Sequence, residues 1–109
     1  MWLVRGNDVL ASLEVASSRA ARRKGLLGRD GVDGALWLPK ARSVHTLGMR
    51  FPIDVAHLDA DLVVLHITTM APWRLGMPVM AARSVVEAEA GSFDRWGLAV
   101  GDKLEVRGG

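Results

Sequence analysis

Three histidines, one of them next to a hydroxyl, and a scatter of carboxylates are the residues of this chain that could do chemistry. His45 and Thr46 stand shortly before Asp54. A histidine, a hydroxyl and a carboxylate can serve as base, nucleophile and orienting group. Thr46 is a poor nucleophile unless a base is set against it. The plainer reading gives Asp54 to the turn around Pro52, where an Asp side chain hydrogen-bonds nearby backbone, and leaves His45 as a strand residue.

His45, His57 and His66 could hold a metal with Asp54, Asp59 or Asp61. Their spacing matches no established ligand pattern such as His-Glu-x-x-His, so no metal or other cofactor is assigned. His57 and His66 fall on the two arms of one expected hairpin. A two- or four-residue loop turns them to one face and a three-residue loop turns them apart, because a slip of one residue carries a side chain across the sheet.

Arg19, Arg22, Arg23, Lys24 and Arg29 make the densest basic run, and Arg22, Arg23 and Arg29 are its anion-binding candidates. A phosphate, nucleic acid or acidic lipid surface would suit them, whereas a solvated helix face is the ordinary fate of such a run. The formal net charge is only +2, and few aromatics interleave with the arginines for base stacking, so the case for nucleic acid is weak. Met70, Met77, Met80 and Trp73 suit either an adaptable binding surface or a cover over the open end of a sheet. Trp73 and Arg74 are of types enriched where partners touch. With His45, Thr46, Met49, Arg50 and Asp54 they outline a ligand or partner surface formed by 43–54 and 70–82. Glu87 and Glu89 lie two apart on one strand and are assigned to its wet face.

The elements that position these residues are mainly strands. Trp2-Leu3-Val4 and Val9 to Ala16, separated by Gly6-Asn7-Asp8, read as a hairpin. Ser17 and Ser18 offer caps to a helix at about 18–28, with Gly28 as its stop. Ala35 to Leu38 and Ser43 to Thr46 are short strand-like runs. Val55 to Leu58 and Val63 to Thr68 form a central hairpin, and 70–82, with two prolines, runs over the surface. A strand at Ser84 to Glu89, a short helix at about 92–97 and a strand at Lys103 to Arg107 complete the chain. This is an α+β pattern: a mainly antiparallel sheet curled toward a small barrel, with helices packed on it and no βα alternation of the kind a parallel sheet needs.

A chain of 109 residues is one domain by size. Half of it is apolar and it has no cysteine, which excludes a disulfide framework, thiolate metal sites and a cysteine nucleophile. No run approaches the ~18 apolar residues of a membrane span, and the first residues lack the basic start and apolar core of a signal peptide. A cytoplasmic protein is expected.

Four motifs carry a resemblance. They are Ser-Arg-Ala-Ala-Arg-Arg-Lys-Gly-Leu-Leu-Gly-Arg at 18–29, Ser-Val-His-Thr-Leu-Gly-Met-Arg-Phe-Pro-Ile-Asp-Val-Ala-His-Leu-Asp at 43–59, Val-Val-Glu-Ala-Glu-Ala-Gly at 85–91, and Gly-Leu-Ala-Val-Gly-Asp at 97–102. In this order the chain resembles domain-of-unknown-function family 192 (DUF192) over nearly its whole length after residue 10. The resemblance implies a compact, mainly β fold with a helix after the first hairpin, and no established activity, cofactor or substrate. The widespread form of the central motif reads Phe-Trp-Met-Lys-Asn-Thr before Ile-Pro-Leu-Asp. Here only Pro52 and Asp54 hold, and the His-Thr-x-Gly-Met version looks like a subgroup variant. Relatives usually place Gly in the hairpin where this chain has Leu62, so a different turn is expected.

No nucleophile–base pair, metal signature or phosphate loop rises above background. The leading expectation is a non-catalytic binding or accessory module for an unidentified protein or small molecule. The alternatives are a small hydrolase or transferase using His45 and Asp54, and anion or nucleic-acid binding through the basic helix.

Overall fold

A computed structural model describes residues 1–108. The strands are β1 (Trp2–Arg5), β2 (Asp8–Val15), β3 (Ala35–Pro39), β4 (Ile53–Leu58), β5 (Val64–Met70), β6 (Ser84–Glu89) and β7 (Glu105–Arg107), and the helices are α1 (Arg19–Lys24) and α2 (Ser92–Trp96). The strands form one sheet in the order β5-β4-β6-β3-β2-β1-β7. It is mainly antiparallel and curled, as expected. One pair differs: β2 and β3 run parallel, with Glu14 opposite Leu36, and α1 is their crossover. The expectation of no βαβ unit is therefore corrected. The helix itself was expected at this place, and the segment from Ala16 to Gly34 that contains it is long enough to carry the chain back to a parallel partner.

The curl brings the two ends of the sheet close without closing it. Residues leading into β5 meet those leading into β7 at a Val63–Lys103 bridge. Val64 N–H donates to Asp102 O and Leu104 N–H to Leu62 O there. The β4–β5 turn keeps a left-handed position although glycine is missing: Leu62 itself takes φ 63°. The Asp59 carboxylate accepts from Asp61 N–H and Val63 N–H and fixes that turn.

Every residue of β4 and all but the last of β6 are buried, because the sheet is covered on both faces. One face carries Leu36, Leu38, Ile53, Val55 and Val85, roofed by Leu26 and by Val44, Met49 and Phe51. The other carries Ala56, Leu58, Val86 and Ala88, with Leu3, Phe93 and Leu104 packed on them. Helix α1 has no buried residue of its own. Leu26, 1% exposed just beyond its end, anchors it, and burying such a leucine contributes about 1.5–3 kcal/mol.

Helix α1 is shorter than expected. Ser18 Oγ caps it by accepting from Ala21 N–H, but the helix ends at Gly25 (φ 51°) and not at Gly28. Ser43 to Thr46 makes a single bridge, His45 to Leu75, where a strand was expected.

Candidate functional site

The run 43–49 and the run 71–80 form one platform on the α1 face of the sheet. Thr46, fully buried, ties them. Its hydroxyl donates to Ala71 O (2.6 Å) and accepts from Arg74 N–H (2.8 Å). Its backbone N–H donates to Arg74 O, and its carbonyl accepts from Trp73 N–H and Met49 N–H. Gly76 N–H donates to Val44 O. A Cβ on Gly76 would stand 2.5 Å from that carbonyl, so only glycine permits the approach. Thr46 is thus a structural tie with both hydroxyl valences in use, as its 0% exposure requires.

The platform overhangs β5 and leaves a groove of about 710 Å³. Its apolar wall is Val44, Met70, Leu75, Met77 and Val79, and its polar groups are His57, His66, Thr68 and Arg74. His57 and His66 are paired across β4 and β5, with ring centroids 5.7 Å apart. The hairpin carries an irregularity between His57 and Leu58, which keeps the two rings on one face. His57 is 3% exposed, and neither ring nitrogen has a hydrogen-bond partner. Burial lowers its pKa and His66 lowers it further; the Arg42 backbone, which approaches the ring without meeting hydrogen-bond geometry, opposes them, and the net shift is downward.

A second, smaller cavity of about 130 Å³ lies between α1 and the same sheet face. Glu87 forms its floor, Leu26, Leu38, Val44 and Met49 its wall, and Arg22, Arg23, Lys24 and His45 its rim. Glu87 is 3% exposed and Oε1 has no partner. Burial pushes the carboxyl up to about 7, with Arg29 pulling weakly the other way. The assignment of Glu87 to a wet face is wrong, whereas Glu89 is exposed. Both faces of β6 are covered, so alternation along the strand does not sort its residues into wet and dry. The adjacent pair Val85-Val86 was the only local signal, since neighbouring strand residues point to opposite faces and two apolar neighbours suit a strand covered on both.

The structure does not bring His45 and Asp54 together. Asp54, 3% exposed, points to the α2 face of the sheet. One oxygen accepts from Thr69 Oγ1 (2.7 Å) and the other from Gly91 N–H and Phe93 N–H (3.0 Å each). It therefore caps α2, whose own first residues supply no side-chain cap. His45 is exposed on the opposite side, its Nδ1 accepting from Leu47 N–H. Arg50 pairs with Asp30 (2.8 Å) at the surface. Met49 is buried in the wall of the smaller cavity. Trp73, 65% exposed and held at φ 65°, projects from the platform. The Arg74 guanidinium reaches the Pro72 and Trp73 carbonyls.

The anion-binding candidates also separate. Arg29 makes a two-pronged ion pair with Glu14 (3.0 and 2.6 Å), which lowers the Glu14 pKa and raises that of Arg29. Arg22 donates to Ser17 O. Arg22 and Arg23 share the rim of the Glu87 cavity.

The sequence profile of DUF192, described as an uncharacterized ACR family, matches residues 3–106. The chain belongs to this family. Its curated relatives are UPF0127 proteins, the same family: one of Pyrococcus furiosus is 40% identical over 63 residues (58% of this chain and 54% of that protein). One of Pyrococcus abyssi is 38% identical over 63 residues, again 58% of this chain and 54% of its own length. The chain spans about half the length of the curated relatives it matches. A protein of unknown function from Novosphingobium aromaticivorans has the same fold, with a TM-score of 0.82 at 23% identity over 95% of this chain and 82% of its own. A Sinorhizobium meliloti protein described provisionally as a transcription regulator superposes with a TM-score of 0.76 at 22% identity, over 85% of this chain and 79% of its own. At such identities the likeness establishes the fold alone, and the family is one of uncharacterised small domains. No helix among the described residues is long and apolar enough to cross a membrane.

Proposed function

We propose that this domain is a non-catalytic binding module whose working site is the groove between β5 and the 71–80 platform. The observation that carries the reading is His57: a buried imidazole with two unmet hydrogen-bonding positions in the wall of an apolar groove. Leaving such a group unpaired costs about 1–3 kcal/mol, a cost that a bound ligand relieves. The groove's volume falls within the range of small-molecule sites, and its make-up, apolar walls with a few convergent polar groups, is theirs as well. The ligand class is a small molecule with an apolar body and an oxygen-bearing head. The body lies along Leu75 and Met77, and the head takes the imidazole hydrogen bonds with Arg74 at the groove's edge. A cysteine-free chain has no need of an oxidising compartment, and we place this activity in the cytoplasm.

The test is an NMR screen of small aromatic and aliphatic acids and amides against the labelled protein. Binders should shift the resonances of His66, Thr68 and Leu75 to Val79, and His57→Leu should abolish those shifts. Hits that leave this groove unperturbed, or that bind His57→Leu equally well, remove the reading.

A further inference from the structure

The Glu87 cavity is separate from the groove, with Val44 in the wall of both. We infer that it is a second binding site, for a small zwitterion with a protonated amine at one end, a short methylene stem and an acidic group at the other. Three zones of the cavity argue for this. The floor is a carboxyl whose Oε1 is shielded from solvent and lacks a partner. The belt is aliphatic, from Leu26, Leu38, Val44 and Met49. The rim holds Arg22, Arg23 and Lys24, the basic last turn of α1.

An ammonium satisfies the floor, since its N–H groups donate to the free carboxylate oxygen and its charge offsets the burial of the carboxylate. The belt excludes a second charge close to the first, so an α-amino acid head, with its charges adjacent, fits poorly and a stem is required. The guanidinium groups at the rim then take the acidic end, with geometry that suits a carboxylate or a phosphate. Arg29 does not compete for Glu87 in geometry, because its two forward nitrogens are held by Glu14. Gly25 stands over the floor, and because it has no side chain it does not press on the carboxyl: a Cβ there would lie 3.1 Å from Oε1.

Isothermal titration calorimetry with defined probes tests this. The probes are 4-aminobutanoate, 2-aminoethyl phosphate, butylamine, butanoate and glycine. At least one of the two stemmed zwitterions should bind, and the tighter of them identifies the acidic group. Butylamine, butanoate and glycine should each bind at least tenfold more weakly than that zwitterion. Glu87→Gln should weaken it tenfold or more. The double variant Arg22→Ala/Arg23→Ala should do likewise; these positions are not buried, so the fold survives their loss. No binding of either zwitterion, unchanged affinity in either variant, or equal binding of the one-ended probes overturns the inference. Because His57 is not in this cavity, His57→Leu should leave the affinity unchanged, which separates this site from the groove.

Discussion

Glu87 Oε1 lies directly beneath Gly25, so near that a Cβ on the glycine would stand 3.1 Å from it. Gly25 also holds φ 51°, a conformation that side chains rarely adopt. Gly25→Ala therefore combines backbone strain with a crowded carboxyl. The expected cost is on the order of 1–2 kcal/mol, read as a lower urea midpoint. An unchanged midpoint would mean that the loop relaxes freely and the cavity roof is not fixed.

Glu87 makes stability depend on pH in an unusual direction for a carboxylate. Its carboxyl is raised from 4.5 to about 7 in the folded state. Between those values the folded protein keeps a proton that the unfolded chain has released, so stability falls as pH rises through the window. The charged groups that face it are Arg22, Arg23 and Lys24 of α1 and Arg29, and His45 of the platform lines the same cavity. Glu87→Gln removes the titration. At pH 8 the variant should be more stable by up to roughly 3 kcal/mol, from about 1.4 kcal/mol per pKa unit over the rise from 4.5 to about 7, and at pH 4 nearly equal. Urea unfolding at both values decides it, and equal stability at pH 8 refutes it.

His57 acts in the opposite sense. Its lowered pKa has no effect on stability above pH 6.5, where folded and unfolded rings are both neutral. As pH drops below 6.5 the unfolded chain takes up the proton first and stability is lost. His57→Leu should abolish that acid loss and also raise stability at pH 7, since the imidazole nitrogens are unmet. Thermal melts at pH 5 and pH 7.5, compared with the parent, supply the check. Greater stability with lost binding is what a site residue shows.

Asp54 is expected to be the most costly carboxylate to remove. Asp54→Ala leaves Gly91 N–H and Phe93 N–H without their acceptor and frees Thr69. A loss of about 2–4 kcal/mol follows from a charged acceptor with buried donors. Hydrogen exchange localises it: the Phe93 amide should accelerate far more than Thr46.

Thr46→Val keeps the shape and deletes the hydroxyl that joins Ala71 O to Arg74 N–H. About 1–3 kcal/mol should be lost. The Arg74 amide should exchange faster while amides of β4 stay protected. Uniform exchange in parent and variant would show that the backbone bonds alone hold the platform.

The strands were legible because their patterns are local. The central hairpin, expected at 55–58 and 63–68, shows β-branched runs around a turn, but these leave its register open, and the irregularity between His57 and Leu58 sets it. The parallel β2–β3 pair was not legible: the strand, the helix and the next strand were each readable, but the direction in which β3 returns beside β2 is set by the tertiary path of the chain and not by any one of them. For the site, residue type singled out the segments 43–54 and 70–82 but not the partners of their side chains. His45, Met49, Arg22 and Arg23 do converge on one cavity, yet around Glu87 and not around Asp54. Asp54 looked like a turn-former for Pro52, while its actual clients at Gly91 and Phe93 lie far along the chain, where only the tertiary fold brings them. Helix α1 stops at Gly25 because the chain turns there over Glu87, a contact with β6 that no window of sequence near residue 25 contains.

The place of β6 governs how the chain is assembled during synthesis. It lies between β3 and β4, pairing with both, although it follows them in the chain. Until residues 84–89 emerge from a ribosome, β3 and β4 each present an unpaired edge with apolar residues beside it. Insertion of this single late strand seals both edges at once.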